Sequence, residues 1–455
     1  MYLPPALSRA FHRSDDALRR RGVWKTYGLL RESQWWPRAR IEALQIEKAR
    51  RLAVSAVADS PYYRGLFRRI GLDPAALRAT EELAALPKLT KDLARRHAAE
   101  IRHPSRRGVT LLPNSTGGST GSNLHFWVDG DCWRWRDAID LRLWDMIGAR
   151  PGAPAAYVWG SPMDEKAAGK LRQRVRFVLD NKRMLSAYRI GDDALVDLVA
   201  RLGRLRPEIL FGYASVLDLI ATRVGEGRLV WPLPPGLVVV SSAEALFPEQ
   251  RRNISQSLGA RVINLYGCRE FGLVALECAA GGGMHVMEER LLLDVVPAED
   301  GGPGRLLLTD LDNVGFPFLR YEIGDLGAID PTPCACGRTL RKLAAVEGRA
   351  FDVIRGPSGR AVGGTFWSLL LRTAVSGIEN WQVVQHAPDR LEIRVTPRGV
   401  LDAAARGKLR AEIASALGTG LEVEIIEGES LEPLPSGKHR FVVALGDVAS
   451  PMGRS

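Results

Sequence analysis

The stretch GLVVVSSAEALFPEQRRNISQSLGARVINLYGCREFG, Gly236 to Gly272, reads as strand, helix, strand. Short apolar runs (GLVVVSSAE, ARVINLYG) flank a helical stretch (FPEQRRNISQSLG), the signature of an α/β domain with a largely parallel sheet. The same alternation extends outward through APAAYVW, DDALVDLVARLGRL and EILFGY, so the pattern covers about 110–330. Small and polar residues gather where the strands end, in GSPMDE, GYAS, SSAE and YGCRE. Ligands bind at that edge of open α/β sheets.

Before this region, residues 1–105 carry leucine, alanine and arginine at helical spacing, with breaks at SPYY and GLDP. After it, GRLLLTDLDNVGFPFLRYEIGDLGAI reads as β-rich, and VEGRAFDVIRGPSGRAVGG is dense in glycine. The tail regains a smaller α+β pattern: WQVVQH, LEIRVTP, LEVEIIEG and FVVALG as strands, LDAAARGKLRAEIASALG as a helix. The expected division is a large multi-lobed domain over 1–347, its first 105 residues a helical lead-in, and a small domain over 348–455.

Bulk properties exclude several classes. A chain of 455 residues with 46% hydrophobic and 25% charged residues is a soluble multidomain composition. No apolar run reaches membrane-spanning length, and the start lacks a signal-peptide pattern, so a cytoplasmic protein is expected. Five cysteines over this length do not form a disulfide framework. The formal charge of +11 comes mostly from scattered arginine, which reads as solvated helix faces rather than a nucleic-acid surface.

Ser115 to Gly121, STGGSTG, pack three glycines and four hydroxyl residues between apolar segments. One reading is a Gly/Ser turn between strands. The other is an anion cradle, in which glycines let backbone N–H groups converge on phosphate. Neither a Walker loop nor a dinucleotide fingerprint matches, so the loop alone leaves both readings open.

Taken in order, STGGSTG, SSAE, NLYGCREFG, RYEIGDL, GRAFD and LPSGKHR resemble the motif series of the adenylate-forming (AMP-binding) enzymes. Within them the chain looks most like the phenylacetate–CoA ligase and CapK-like branch, including the lead-in stretches SPYYRGLFRRIGL and LPKLTKDL. The resemblance implies that Ser115, Thr116, Gly117, Gly118, Ser119, Thr120 and Gly121 form a mobile loop contacting the phosphates of ATP. A lysine usually follows that last glycine, whereas this chain has Ser122 and Asn123. Ser242, Ala243 and Glu244 match the lining of the adenine pocket. Tyr266, followed by Gly267, matches the aromatic that stacks on adenine. Glu270 matches the acid that helps hold Mg²⁺, a hard cation that takes oxygen ligands. Asp325 matches the carboxylate that takes both ribose hydroxyls, and Arg349 the arginine at the interdomain hinge. There the family often has an acid at the position of Phe351 and a second at Asp352, of which only Asp352 is kept. Lys438 matches the lysine that brings positive charge to the substrate carboxylate and α-phosphate. Lys438, Glu270 and Thr120 are thus the implied catalytic set.

Aromatic residues at strand ends, Tyr157, Trp159, Phe211 and Tyr213, read either as an acyl pocket for an aromatic or apolar acid or as ordinary core. Cys278, His285, Cys334 and Cys336 together supply a Cys₃His set suited to tetrahedral structural Zn²⁺, and some members of the resembled branch carry a metal there. Cys132 and Cys268 stand outside it.

The resemblance implies activation of a carboxylic acid by ATP and Mg²⁺, then transfer of the acyl group to CoA. The alternatives keep the adenylation with an amine, sugar or carrier-protein acceptor, or retain nucleotide binding without efficient catalysis. No nucleic acid and no integral membrane segment enter this reading, and a homodimer is compatible with it.

Overall fold

The computed structural model describes residues 2–103, 110–116, 124–159, 171–186, 192–298 and 303–349. Of the remainder it describes 354–357, 361–362, 366–367, 370–371, 378–397, 401–428 and 441–443. Gly117, Gly118, Ser119, Thr120, Gly121, Ser122, Asn123, Phe351, Asp352 and Lys438 therefore lie outside the described residues, and Arg349 is described for its backbone alone.

A hairpin of β1 (Leu111–Ser115) and β2 (His125–Asp129) precedes the main sheet. The α/β region then supplies β3 (Ala155–Trp159), β4 (Lys182–Ser186), β5 (Ile209–Gly212), β6 (Val238–Ser242) and β7 (Arg261–Cys268). Helices Asp192–Leu205, Ala214–Gly225 and Pro248–Leu258 connect β4 through β7, and all pairings among these five strands are parallel. Crossover helices make that geometry possible.

Beyond β7 the sheet departs from the expected parallel character. It continues antiparallel through β8 (Gly272–Glu277), β9 (Met284–Val286), β10 (Leu291–Val296), β11 (Gly304–Asp310), β12 (Tyr321–Asp330) and β13 (Lys342–Arg349). The order across all eleven strands is β10-β11-β12-β13-β9-β8-β7-β6-β5-β3-β4. Consecutive paired strands here are joined by loops too short for a crossover, as in the Arg269–Phe271 connection of β7 to β8, so they must run opposite ways. The non-consecutive β9 and β13 also pair antiparallel.

The helical lead-in packs on this antiparallel half. Ser60 caps helix Pro61–Ile70 by accepting from the Tyr63 N–H, and Gly71 closes it at φ 69°. Tyr63 donates its hydroxyl to the Pro317 carbonyl at 2.8 Å. In the LPKLTKDL stretch, Leu89 bridges to Tyr321 of β12, with N–H···O contacts of 3.0 and 2.9 Å to Arg320 and Glu322. Beneath lies an aromatic cluster: Phe318 meets Phe126 at 5.6 Å and Tyr321 at 4.9 Å, both edge-on. Each such pair is worth about 0.5–1.5 kcal/mol beyond its buried area, so Tyr321 is firmly placed.

Not all the arginine excess is solvated. Arg142 and Arg290 are fully buried, and Arg136 and Lys48 nearly so, each against carboxylates or carbonyls of the antiparallel half. Periodicity flags these positions as basic but not as inward-facing, because buried acids distant in sequence select them.

A separate apolar cluster, including Ile354, Trp367, Trp381, Ile393, Leu409, Ile413 and Val442, forms the core of the tail. After the short pair β14 (Ile354–Arg355) and β15 (Ala361–Val362) come β16 (Ile378–Ala387), β17 (Arg390–Pro397), β18 (Glu422–Glu427) and β19 (Val442–Val443). The last four order as β18-β17-β16-β19 beside helix Ala403–Leu417. Phe441 packs tilted on Trp381 at 4.8 Å and meets Phe247, after β6, edge-on at 6.3 Å. Among the described residues no helix is long and apolar enough to cross a membrane.

Candidate active site

Four segments distant in sequence meet where the parallel and antiparallel halves of the sheet join. β6 ends at Ser242, whose register partner on β7 is Leu265, so Ala243 and Glu244 leave the sheet beside Tyr266. Ala243 sits at φ 69°, a left-handed conformation uncommon for alanine, which turns the chain sharply at that edge. Glu244 accepts from the Ser215 N–H at 2.9 Å, which ties this turn to the first residues of helix Ala214–Gly225.

Tyr266 donates its hydroxyl to Asp325 Oδ2 at 2.6 Å, linking β7 to β12. Burial, reinforced by the facing Asp325 carboxylate, raises the phenol well above its ordinary value. At neutral pH it is therefore a hydrogen-bond donor, and the carboxylate is the acceptor. Asp325 is paired in register with Arg349 across β12 and β13, so two of the sequence-identified residues share one rung of the ladder. Glu270 lies in the β7–β8 loop, nearly buried, and its Oε1 accepts from the Tyr321 hydroxyl at 3.3 Å.

Gly267 has a packing reason for its identity. A Cβ there would stand 2.6 Å from the Gly272 carbonyl oxygen, so only glycine lets the two strands approach. Cys268 is half-buried, and burial, followed by the Glu270 charge, keeps its thiol protonated.

Only Ser115 and Thr116 of the glycine-rich segment fall among the described residues, at the end of the β1–β2 hairpin. Thr116 is buried; its N–H donates to the Leu124 carbonyl, and its Oγ1 accepts from the Leu124 N–H, each at 3.0 Å. This pair closes the base of the connection that spans 117–123.

The four strand-end aromatics separate into two kinds. Phe211 and Tyr213 are core, at 4% and 2% exposure. Tyr157, stacked on Phe211 at 4.5 Å, and Trp159, 4.7 Å from Tyr213, are half-buried.

A second cluster gathers Cys278, His285, Cys334 and Cys336, whose donor atoms all lie within 4.8 Å of one another. Pairing of β9 with β13 brings the loop after β8 beside the loop before β13. Cys278 and Cys334 sulfurs are 3.6 Å apart, and Cys336 Sγ is 3.4 Å from His285 Nε2. Tetrahedral bonds of about 2.3 Å to sulfur place two ligand sulfurs roughly 3.8 Å apart, so the donor set fits a metal ion. His285 Nδ1 faces the Leu340 carbonyl at 3.2 Å, which holds the ring with Nε2 toward the cysteines. Lys342 spans both loops, reaching the Gly282 carbonyl at 2.7 Å and Asp330 at 2.7 Å.

Sequence reading missed Tyr321 and the buried arginines behind Glu270. Tyr321 stands inside the quoted RYEIGDL segment; only its place after the apolar PFL run hinted that it turns inward.

No family model matches the chain. It is 25% identical over 414 residues to the phenylacetate–coenzyme A ligase of Thermus thermophilus, covering 88% of each protein. It is 23% identical over 392 residues to the protein CapK of Staphylococcus aureus, covering 85% of each. Among solved structures, 2-hydroxyisobutyryl-CoA ligase in its postadenylation state superposes with a TM-score of 0.71 at 19% identity, covering 91% of this chain and 93% of that one. In sequence the chain is thus similar to phenylacetate–CoA ligases and to CapK, and its fold is that of 2-hydroxyisobutyryl-CoA ligase.

Proposed function

We propose that this protein is an AMP-forming acid–CoA ligase. A carboxylate oxygen of the acid attacks the α-phosphate of ATP and pyrophosphate leaves. The sulfur of CoA then attacks the acyl carbon of the adenylate, and AMP leaves. The observation that carries the reading is the meeting of Tyr266, Glu270, Asp325 and the Arg349 rung at one sheet edge, in a fold shared with an acyl-CoA ligase.

In this assignment Tyr266 stacks on adenine against Ser242, Ala243 and Glu244, while its hydroxyl orients Asp325 toward the ribose. Ser115 to Gly121 contact the phosphates, with Thr120 closest to the chemistry. Glu270 holds the Mg²⁺ that arrives with ATP; such an ion neutralises charge on the phosphates. Arg349 marks the hinge between domains 1–347 and 348–455, and Lys438 of the small domain stabilises charge at the α-phosphate. No protein nucleophile is required, because the adenylate itself carries the activation.

We further assign the Cys278–His285–Cys334–Cys336 cluster to one structural Zn²⁺ that ties two loops of the antiparallel half together. The acid is assigned as aromatic or apolar, received near the half-buried Tyr157 and Trp159. A cytoplasmic enzyme, with a homodimer as the assembly to test by sedimentation, completes the assignment.

The similarity to CapK supports a second reading, in which an amine, sugar or carrier-protein thiol replaces CoA as acceptor. One experiment separates them: pyrophosphate release across a panel of acids that includes phenylacetate, with and without CoA. Release without CoA, followed by a CoA-dependent thioester, is the expected result. Release with no thioester would favour the second reading, and no release with any acid would count against adenylation.

A further inference from the structure

The loop that carries Glu270 is held by side chains. Arg136, on helix Gly130–Met146, donates to the Arg269 carbonyl at 3.4 Å and to the Glu270 carbonyl. Arg290 donates to the Phe271 carbonyl. Two guanidinium groups thus take three consecutive carbonyls, the whole connection between Cys268 and Gly272. Both converge on one carboxylate: Asp310 Oδ2 lies 2.5 Å from Arg290 Nη2 and 3.5 Å from Arg136 Nη2. Arg290 and Asp310 are fully buried and Arg136 is 7% exposed. On the other side of the loop the Tyr321 hydroxyl reaches the Glu270 carboxylate.

This arrangement is a poor device for stability. Buried ion pairs rarely outperform apolar residues of similar volume, and here the Nε atoms of both arginines lack a hydrogen-bond partner. What a fork pinned by a carboxylate does well is fix direction, because planar guanidinium geometry sets where each accepting carbonyl must lie.

We propose that Arg136 is a positioning residue for Glu270. Its fork, held by Asp310 and continued by Arg290, sets the loop backbone so that the Glu270 carboxylate presents to the metal bound with ATP. The inference rests on the assignment of Glu270 to Mg·ATP. It places a determinant of metal binding on a helix whose sequence carries none of the family-like motifs.

The test measures ATP affinity by calorimetric titration, with Mg²⁺ and with a chelator, in wild type, Arg136→Lys, Glu270→Gln and the double variant. Lysine keeps the charge beside Asp310 but has no planar fork to fix the directions of two carbonyls. Outer-shell partners of metal ligands typically matter by 10–100-fold. Arg136→Lys should therefore weaken Mg²⁺-dependent ATP binding by about tenfold or more, leave metal-free binding unchanged, and add no loss in the Glu270→Gln background. Equal weakening with and without Mg²⁺ would reveal a general structural defect and overturn the proposal. So would losses that simply add in the double variant, or Mg²⁺-dependent affinity equal to wild type. If Arg136→Lys does not fold, Asp310→Asn, which leaves the fork in place but unpinned, is judged by the same criteria. A wild-type protein whose ATP binding ignores Mg²⁺ would overturn the Glu270 assignment itself, a result distinct from failure of the variants alone.

Discussion

The Tyr266 hydroxyl lies 2.6 Å from Asp325 Oδ2, joining strands β7 and β12 across a gap of 59 residues in the chain. Hydrogen bonds to charged groups contribute about 1.5–3 kcal/mol. Tyr266→Phe should keep the ring but leave Asp325 unaimed, weakening ATP binding by roughly ten- to a hundredfold. Asp325→Ala should weaken it further while the protein remains folded. Calorimetric titration checks both, and an Asp325→Ala variant with wild-type affinity would remove Asp325 from the nucleotide site.

Gly267→Ala tests the strand approach beside Tyr266. The added Cβ would sit 2.6 Å from the Gly272 carbonyl oxygen, and backbone on both sides leaves little room to relax. Overpacking of this kind costs about 1–3 kcal/mol. Thermal melting should fall accordingly, and nucleotide binding should suffer because Tyr266 and Glu270 flank the distorted turn. A melting curve like that of wild type would count against a packing requirement for glycine at this position.

Much of this site is legible in the sequence because short polar islands interrupt the apolar runs, around the end of β7 for Tyr266 and Glu270 and within β12 for Asp325. Tyr266, Glu270 and Asp325 belong to such islands, and the structure brings them together. The Cys₃His set is legible for a different reason, since few residue types can bind a soft metal ion and their spacing narrows the choice. Arg136, Arg290 and Asp310 are not legible. Each looks like an ordinary surface charge, and only packing among segments more than a hundred residues apart turns Arg136 inward toward Glu270. The antiparallel half also escapes the reading, because strand–helix alternation says nothing about strands joined by short loops. Thr116, read from the sequence as part of the phosphate-contacting loop, also accepts from the Leu124 N–H at the loop base, a structural role the sequence does not reveal.

Zinc should copurify at about one ion per chain if the cluster is a closed structural site. Cys334→Ser or Cys336→Ser should lower the melting temperature more than they lower turnover per folded molecule. Lys342→Met should have a milder effect in the same direction, because Lys342 joins the Gly282 loop to Asp330. The Asp330 carboxyl, held down to about 2 by Lys342 and Thr332, keeps its charge well into acid. Its depressed value means that this contact contributes above the ordinary aspartate range and is lost only as pH falls toward 2. Metal release on acidification should therefore come earlier, from protonation of the cysteine ligands. Elemental analysis finding no zinc in protein prepared without chelator would end the assignment.

Lys438 separates an adenylating enzyme from a nucleotide-binding relative without efficient chemistry. Among the described residues nearby, Phe441 meets Phe247 edge-on at 6.3 Å, and Phe247 follows Ser242–Glu244, the segment proposed to line adenine. In the proposed assignment the charge of Lys438 matters only while charge builds at the α-phosphate. Lys438→Ala should leave ATP affinity nearly unchanged and slow acyl-adenylate formation by roughly 10²–10³. Thioester formation from chemically supplied acyl-adenylate should survive, because that half-reaction needs no charge at pyrophosphate departure. Phe441→Ala should act on the same step but more weakly, since an aromatic pair contributes only about 0.5–1.5 kcal/mol. Both half-reactions must be measured in each variant with the same acid. Equal damage to the two half-reactions in Lys438→Ala, or damage to neither, would show that this lysine does not serve adenylation, and the Gly-Lys turn would revert to an ordinary surface charge.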